Sequence, residues 1–268
     1  MINSIDYSLF DRPDILMALF YPRPEWSFNL PRKGMETLMI PVDSNVEIQA
    51  QVYLASPGAP NILFFHGNGE IAADYQEIAP FYTNRMINLI VVDYRGYGRS
   101  TGIPSVSSMM KDCHSIFAYF LKWLKQKKLT GKVIVMGRSL GSAPALEIAH
   151  SYQEEIDGLI IESGFAYAGP LLRLMGVDME ALRLKEEQGF RNVEKIMGFQ
   201  KPTLVIHALY DHIIAFQEGE ILFNACPAKE KRLLRIPGAN HNNVFIAGMT
   251  DYMASIEWLV ARTEELKP

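Results

Sequence analysis

The chain has 268 residues, 49% hydrophobic and 21% charged, with 26 Lys and Arg against 30 Asp and Glu for a net charge of −4. This balance excludes a disordered or collagen-like chain, and without a long basic run it makes nucleic acid a poor partner. The length suits one α/β domain over residues 1–268, large enough to bury a core without disulfide or metal staples.

In chain order, residues 1–10 include Asp6 and lack a basic stretch followed by an apolar one, so no secretory signal is visible and a cytoplasmic location is expected. No window approaches about 18 uninterrupted apolar residues, so neither a spanning helix nor stable membrane insertion is expected. Residues 37–42 and 46–54 flank the turn cluster Asp43, Ser44, Asn45 and predict an antiparallel hairpin at a sheet edge. From there, short apolar β-branched runs at 61–66, 88–94, 132–136, 158–161, 203–207 and 232–236 predict buried strands. Stretches of helical spacing lie between most of them, at 75–85, 106–128, 140–155 and 218–225, and a last helix runs from about 243 to 265. Such alternation is the pattern of a mostly parallel, doubly wound sheet of about eight strands. Cys113 and Cys226 fall in helical segments far apart, which suggests buried reduced thiols and offers no zinc site.

Several strand ends carry chemistry-bearing residues. His66-Gly67-Asn68-Gly69-Glu70 follows the first central strand; its glycines permit close backbone approach, so the Asn68 N–H is a candidate oxyanion donor, while His66 is read as orienting the loop. Asp93 to Ser100, rich in glycine and aromatics, reads as a rigid loop from which Arg95 or Arg99 could reach a substrate. After the strand at 132–136 comes Gly137-Arg138-Ser139-Leu140-Gly141, a G-x-S-x-G pentapeptide leading into a helix. A sharp strand-to-helix turn would expose the Ser139 hydroxyl and aim the Leu140 N–H at it; a plain glycine-rich helix cap is the bland alternative. Glu162 and Ser163 follow the next strand, and Glu162 is a second choice for a catalytic acid.

Residues 164–200 exceed a standard crossover and predict a small helical cap insertion. Its apolar stretch Leu171, Leu172, Leu174, Met175, Val177, Met179, Leu182 precedes Lys185, Glu186 and Glu187. Leu171, Leu172 and Met175 are candidate substrate contacts if this stretch is a lid; equally, it could simply dock the cap onto the core. Asp211 follows the strand at 203–207, and could instead cap the helix beyond it. His241 lies in Pro237-Gly238-Ala239-Asn240-His241-Asn242 after the final strand, whereas His212 sits too close to Asp211 to take its hydrogen bond and reach Ser139. The order Ser139, Asp211, His241, each behind its own strand, matches a nucleophile, acid and base arrangement. No Walker loop, dinucleotide-binding glycine turn or metal-spaced cluster competes.

Together these segments resemble the α/β-hydrolase superfamily over about residues 37–268. Within it, H-G-N-G-E, D-Y-R-G-Y-G-R-S, G-R-S-L-G and the closing N-H-N are similar to the BEM46-like serine hydrolases and to the α/β-hydrolase domain-containing 13 and 17 groups. Phe20-Tyr21-Pro22-Arg23-Pro24-Glu25 resembles their entry segment, and Ala208 departs from the glycine that usually follows the histidine before the acid loop. The resemblance implies a cofactor-free hydrolase of esters, thioesters or amides, acting on a small-molecule or acylated substrate. A peptidase or amidase on the same triad, or a catalytically silent binding protein, are the alternatives; silent members usually lose a triad residue, and all three are present here.

Overall fold

The computed structural model describes residues 5–26, 34–185 and 188–265. Glu186, Glu187 and residues 1–4 of the segment in which no secretory signal is visible lie outside them. Eight strands form one sheet: β1 (Met35–Asp43), β2 (Val46–Tyr53), β3 (Asn61–Phe65), β4 (Asn88–Val92), β5 (Val133–Arg138), β6 (Gly158–Glu162), β7 (Thr203–Ala208) and β8 (Lys231–Ile236). Their spatial order is β1-β2-β4-β3-β5-β6-β7-β8. β1 pairs antiparallel with β2 and β2 with β4, and every later pairing is parallel. The hairpin therefore sits at one edge, where Asp43 Oδ1 accepts the Ser44 N–H at 2.9 Å and tightens the turn.

Strands β3 to β7 are buried along their whole length, save the half-buried Val133 that opens β5, because helices cover both faces. Alternate residues of β5 illustrate the split: Val135 belongs to the core under α3 (Val106–Lys127) and α4 (Ser142–Ser151), while Ile134 and Met136 belong to the core under α2 (Ala79–Thr83) and α8 (Val244–Glu265). Helix α3 begins at a capping box in which Ser105 Oγ accepts the Ser108 N–H at 3.1 Å and Ser108 Oγ accepts the Ser105 N–H at 2.9 Å. The helix expected over 75–85 is instead a 3-10 turn, Ala72–Gln76, followed by the short α2, since Pro80 has no N–H with which to extend the first turn's ladder. Among the described residues, α8 is the one helix whose length and mean hydropathy of 1.2 would allow it to cross a membrane. Its Tyr252, Met253, Ile256 and Leu259 are nevertheless buried in the core.

Two features lie outside the periodicity. A 3-10 turn, Tyr7–Phe10, and α1 (Pro13–Leu19) precede the sheet and bury Phe10, Ile15 and Leu19. The chain then crosses the carboxyl ends of the strands, where the Tyr21 N–H donates to Asn68 Oδ1 at 2.7 Å and to the Tyr97 hydroxyl at 2.8 Å. Between β6 and β7 lie α5 (Ala168–Leu174) and α6 (Asn192–Ile196), and the carboxylate of Glu218, on α7 (Phe216–Ala225), accepts the N–H groups of Ala166 and Tyr167 at 2.9 Å each. That buried acid anchors the start of the insertion to the sheet domain.

Candidate active site

Chain order reverses direction around β3, which lies between β4 and β5, so the carboxyl ends of β3 and β5 open into a crevice at a topological switch point. Phe65 and Gly137 are register partners, which sets the loop 66–70 beside the turn after β5. There Ser139 takes φ of +51°, a left-handed conformation that costs a residue with a Cβ about 1–2 kcal/mol. Close packing forces it: a Cβ on Gly141 would lie 2.0 Å from the Phe65 carbonyl oxygen, and one on Gly137 would lie 2.3 Å from the Gly141 carbonyl oxygen. The helix thus starts against β3 and opens with a 3-10 turn, Ser139–Gly141, before α4, two residues later than the sequence pattern implies. As the second residue of that turn, Leu140 keeps an N–H without an intrahelical acceptor.

Ser139, His241 and Asp211 come together from three loops. Ser139 Oγ and His241 Nε2 are 3.0 Å apart, and His241 Nδ1 is 2.8 Å from Asp211 Oδ2. A carboxylate can only accept, so Nδ1 carries the ring proton and Nε2 is left to accept from the serine hydroxyl. Asp211 Oδ1 also accepts the N–H groups of Ile213 and Ile214 at 3.0 and 2.8 Å, closing a local turn instead of capping α7. Burial by itself would raise the Asp211 pKa, but the hydrogen bond and charge of His241, with the two N–H groups, hold its carboxyl below the usual value. Ala208 is fully buried and does not keep Asp211 from His241.

Glu162, the other acid considered, does not meet the His241 ring. Its carboxylate accepts from Arg138 Nε at 3.1 Å and from the Tyr252 hydroxyl at 2.6 Å. Arg138 also forms an ion pair with Glu70 and donates from Nη2 to the His241 carbonyl oxygen at 2.7 Å. The two carboxylates respond oppositely: burial lifts Glu162 above its ordinary pKa, whereas for Glu70 the opposing charges of Arg138 and His66 outweigh burial and lower it. His66 is wholly buried, with Nδ1 2.8 Å from the Gly67 carbonyl oxygen and Nε2 3.0 Å from Asp93 Oδ1. Burial disfavours its charge, but the Asp93 hydrogen bond and charge prevail and raise its pKa, and the two contacts together brace the loop.

A cavity of about 310 Å³ opens on Ser139, lined by Asn68, Leu140 and His241 together with the apolar side chains Leu19, Leu171, Met175 and Ile213. A second, of about 250 Å³, shares Leu171 and Ile213 and continues past Leu174 and Tyr167. Of the three insertion residues expected to touch substrate, Leu171 and Met175 stand on this wall, one helical turn apart. Leu172 does not: it points about 100° away around α5 and is fully buried in the core. Arg95 and Arg99 are also absent, the first held by Asp112 at 2.6 Å and the second by Glu25 at 3.0 Å. Sequence reasoning missed Leu19, Ile213 and the Arg138 cluster. A usable signal for the last was an arginine ending a strand as buried as β5, which requires carboxylates at the ends of neighbouring strands.

Residues 58–187 match the family described as serine aminopeptidase, S33. The chain is 28% identical over 251 residues to human alpha/beta hydrolase domain-containing protein 17B, covering 90% of this chain and 80% of that protein. It is 25% identical over 216 residues to protein bem46 of Schizosaccharomyces pombe, covering 76% of this chain and 68% of that one. Among solved structures, an esterase of Pyrococcus furiosus superimposes with a TM-score of 0.72 at 16% identity, covering 90% of this chain and 99% of the esterase, a likeness of fold.

Proposed function

We propose that this chain, an α/β hydrolase resembling the bem46 and domain-containing 17B proteins, is a serine hydrolase of carboxylic esters or thioesters. The observation that carries the reading is the unbroken chain of hydrogen-bonding distances from Asp211 through His241 to Ser139, 2.8 and 3.0 Å, ending at a cavity. His241 Nε2 takes the hydroxyl proton as Ser139 Oγ attacks the acyl carbon. Asp211 holds the imidazole in the required tautomer and stabilises its charged form. Negative charge on the carbonyl oxygen falls to the Asn68 and Leu140 N–H groups. His241 then returns the proton to the departing alkoxide or thiolate, leaving an acyl-serine; water, deprotonated by the same imidazole, attacks it and releases the carboxylic acid.

The acyl chain lies against Leu19, Leu171, Met175 and Ile213, an apolar wall that suits a hydrocarbon better than a polar side chain. Cleavage of amide or peptide bonds is the second reading, favoured by the description of the family matched over residues 58–187. Labelling with a fluorophosphonate tests the nucleophile: wild type reacts and Ser139→Ala does not. A series of aryl esters, thioesters and aminoacyl amides of graded length then separates the two readings by kcat/KM. Absence of labelling in folded wild type overturns both.

A further inference from the structure

Arg138 directly precedes Ser139 in the G-x-S-x-G turn and is nine-tenths buried, yet none of the chemical steps uses its side chain. Its guanidinium meets two loops and the end of the neighbouring strand β6. Nη1 pairs with Glu70, Nε donates to Glu162 at 3.1 Å, and Nη2 donates to the His241 carbonyl oxygen at 2.7 Å. Glu70 in turn accepts the Gly67 N–H at 2.8 Å and the Tyr75 hydroxyl at 2.7 Å, so it fixes the peptide next to Asn68. Glu162 is the register partner of Arg138 on β6 and is held from the other side by Tyr252. Around His241 the loop is tied locally, Asn240 N–H to Asn243 Oδ1 at 2.7 Å and Asn242 N–H to Asn240 Oδ1 at 2.9 Å. Among the described residues, the bond that holds the main chain of His241 itself comes from Arg138.

We propose that Arg138 is the positioning residue of this site: its planar fork sets the His241 imidazole against Ser139 through the His241 carbonyl, and braces the loop ahead of Asn68 through the bond of Glu70 with the Gly67 N–H. The inference rests on the hydrolase reading above. Its physical basis is that the His241 ring must satisfy two partners on two other loops at once, Asp211 and Ser139. With its carbonyl untethered, the loop is free to drift, and a displacement of about 1 Å costs on the order of 100-fold in rate. A guanidinium presents five N–H donors in a fixed plane and can serve three acceptors in different directions. An ammonium keeps the charge but cannot span them.

That difference separates positioning from charge balance. Arg138→Lys is expected to fold, because the two neighbouring carboxylates keep a counter-charge. Its kcat on an aryl ester should fall roughly 10- to 100-fold with KM within about threefold, and its fluorophosphonate labelling should slow in parallel. If lysine restores kcat to within threefold of wild type, the residue only balances charge and the proposal is overturned. Should Arg138→Lys not fold, the neutral triple variant Arg138→Met, Glu70→Gln, Glu162→Gln serves, since removing all the charges of such a cluster together is tolerated far better than removing one. A crystal structure of either variant gives a readout independent of turnover. The His241 Nε2 to Ser139 Oγ distance is expected beyond about 3.5 Å, and persistence of the bond at its present 3.0 Å would overturn the proposal. If wild type itself neither hydrolyses nor labels, the hydrolase reading fails, while this distance still decides the part played by Arg138.

Discussion

Replacing Asp211 by asparagine should cost on the order of 10⁴ in kcat while leaving the fold in place. The structure supplies the reason. Asp211 Oδ1 accepts two main-chain N–H groups, from Ile213 and Ile214, and Oδ2 faces His241 Nδ1 at 2.8 Å. An asparagine has one accepting and one donating end. Keeping the two N–H groups bonded puts its amide oxygen in the Oδ1 position and turns its NH₂ toward the imidazole. Although the amide oxygen stays 3.0 Å from Nδ1, the NH₂ takes the nearer position at 2.8 Å and favours a ring that accepts at Nδ1, so the ring proton shifts to Nε2, which then donates toward Ser139 instead of taking its proton. A factor of 10⁴ corresponds to about 5.5 kcal/mol of transition-state stabilisation, several times the roughly 1 kcal/mol net value of one hydrogen bond, so the tautomer and not the lost bond dominates. The assay is kcat and KM on the best aryl ester, with denaturant unfolding of the same preparations. Glu162→Gln is the comparator, since its carboxylate reaches Arg138 and Tyr252 but not the His241 ring, and it should cost less than about tenfold. Retention by Asp211→Asn of a tenth of wild-type turnover, or a greater loss in Glu162→Gln, would refute the assignment of the acid.

Ser139→Gly and Ser139→Ala should both abolish hydrolysis, but glycine relieves the φ of +51° and alanine does not. With about 1–2 kcal/mol of strain offset by about 0.5–1 kcal/mol of unfolded-state entropy, the glycine variant should be the more stable by up to about 1.5 kcal/mol in urea, and the reverse order would contradict the strained elbow. Gly141→Ala places a methyl about 2.0 Å from the Phe65 carbonyl oxygen and should destabilise by about 3 kcal/mol or more, whereas an unchanged Tm would deny the close approach of α4 to β3. Burial alone would raise the Glu147 pKa, but its hydrogen bond with His114 and the charge of Lys195, 2.7 Å away, bring it down to about 2. A carboxyl so lowered adds stability above about pH 4.5 that is lost as pH falls toward 2, about 3 kcal/mol in all; Glu147→Gln should therefore be clearly weaker than wild type in urea at pH 6 and converge with it near pH 2, and a constant gap would refute the linkage. Leu171→Trp fills the wall beside Ser139 and should move the acyl-length optimum to shorter chains, so an unmoved optimum would place the chain elsewhere.

The eight strands, the edge hairpin and the long helices α3 and α8 were legible from the sequence alone, because buried strands are short apolar runs and the turns between them are written in glycine and asparagine. Ser139, Asp211 and His241 stood out as candidates for a related reason: each lies a few residues beyond such a run, where a parallel sheet puts its loops on one side. What the tertiary structure decided involves partners distant in the chain. Asp211 rather than Glu162 meets His241 because β6 ends beside Arg138, a register that local periodicity does not encode. The hydrophobic pattern of the insertion marked Leu171, Leu172 and Met175 as equals, and only the docking of α5 turned Leu172 into the core and the other two toward Ser139. Residues 7–19 lack a long periodic stretch, and their two short helical turns hold by burying Phe10, Ile15 and Leu19 against a core formed by segments far later in the chain. Short elements draw their stability from such packing and little from their own propensity.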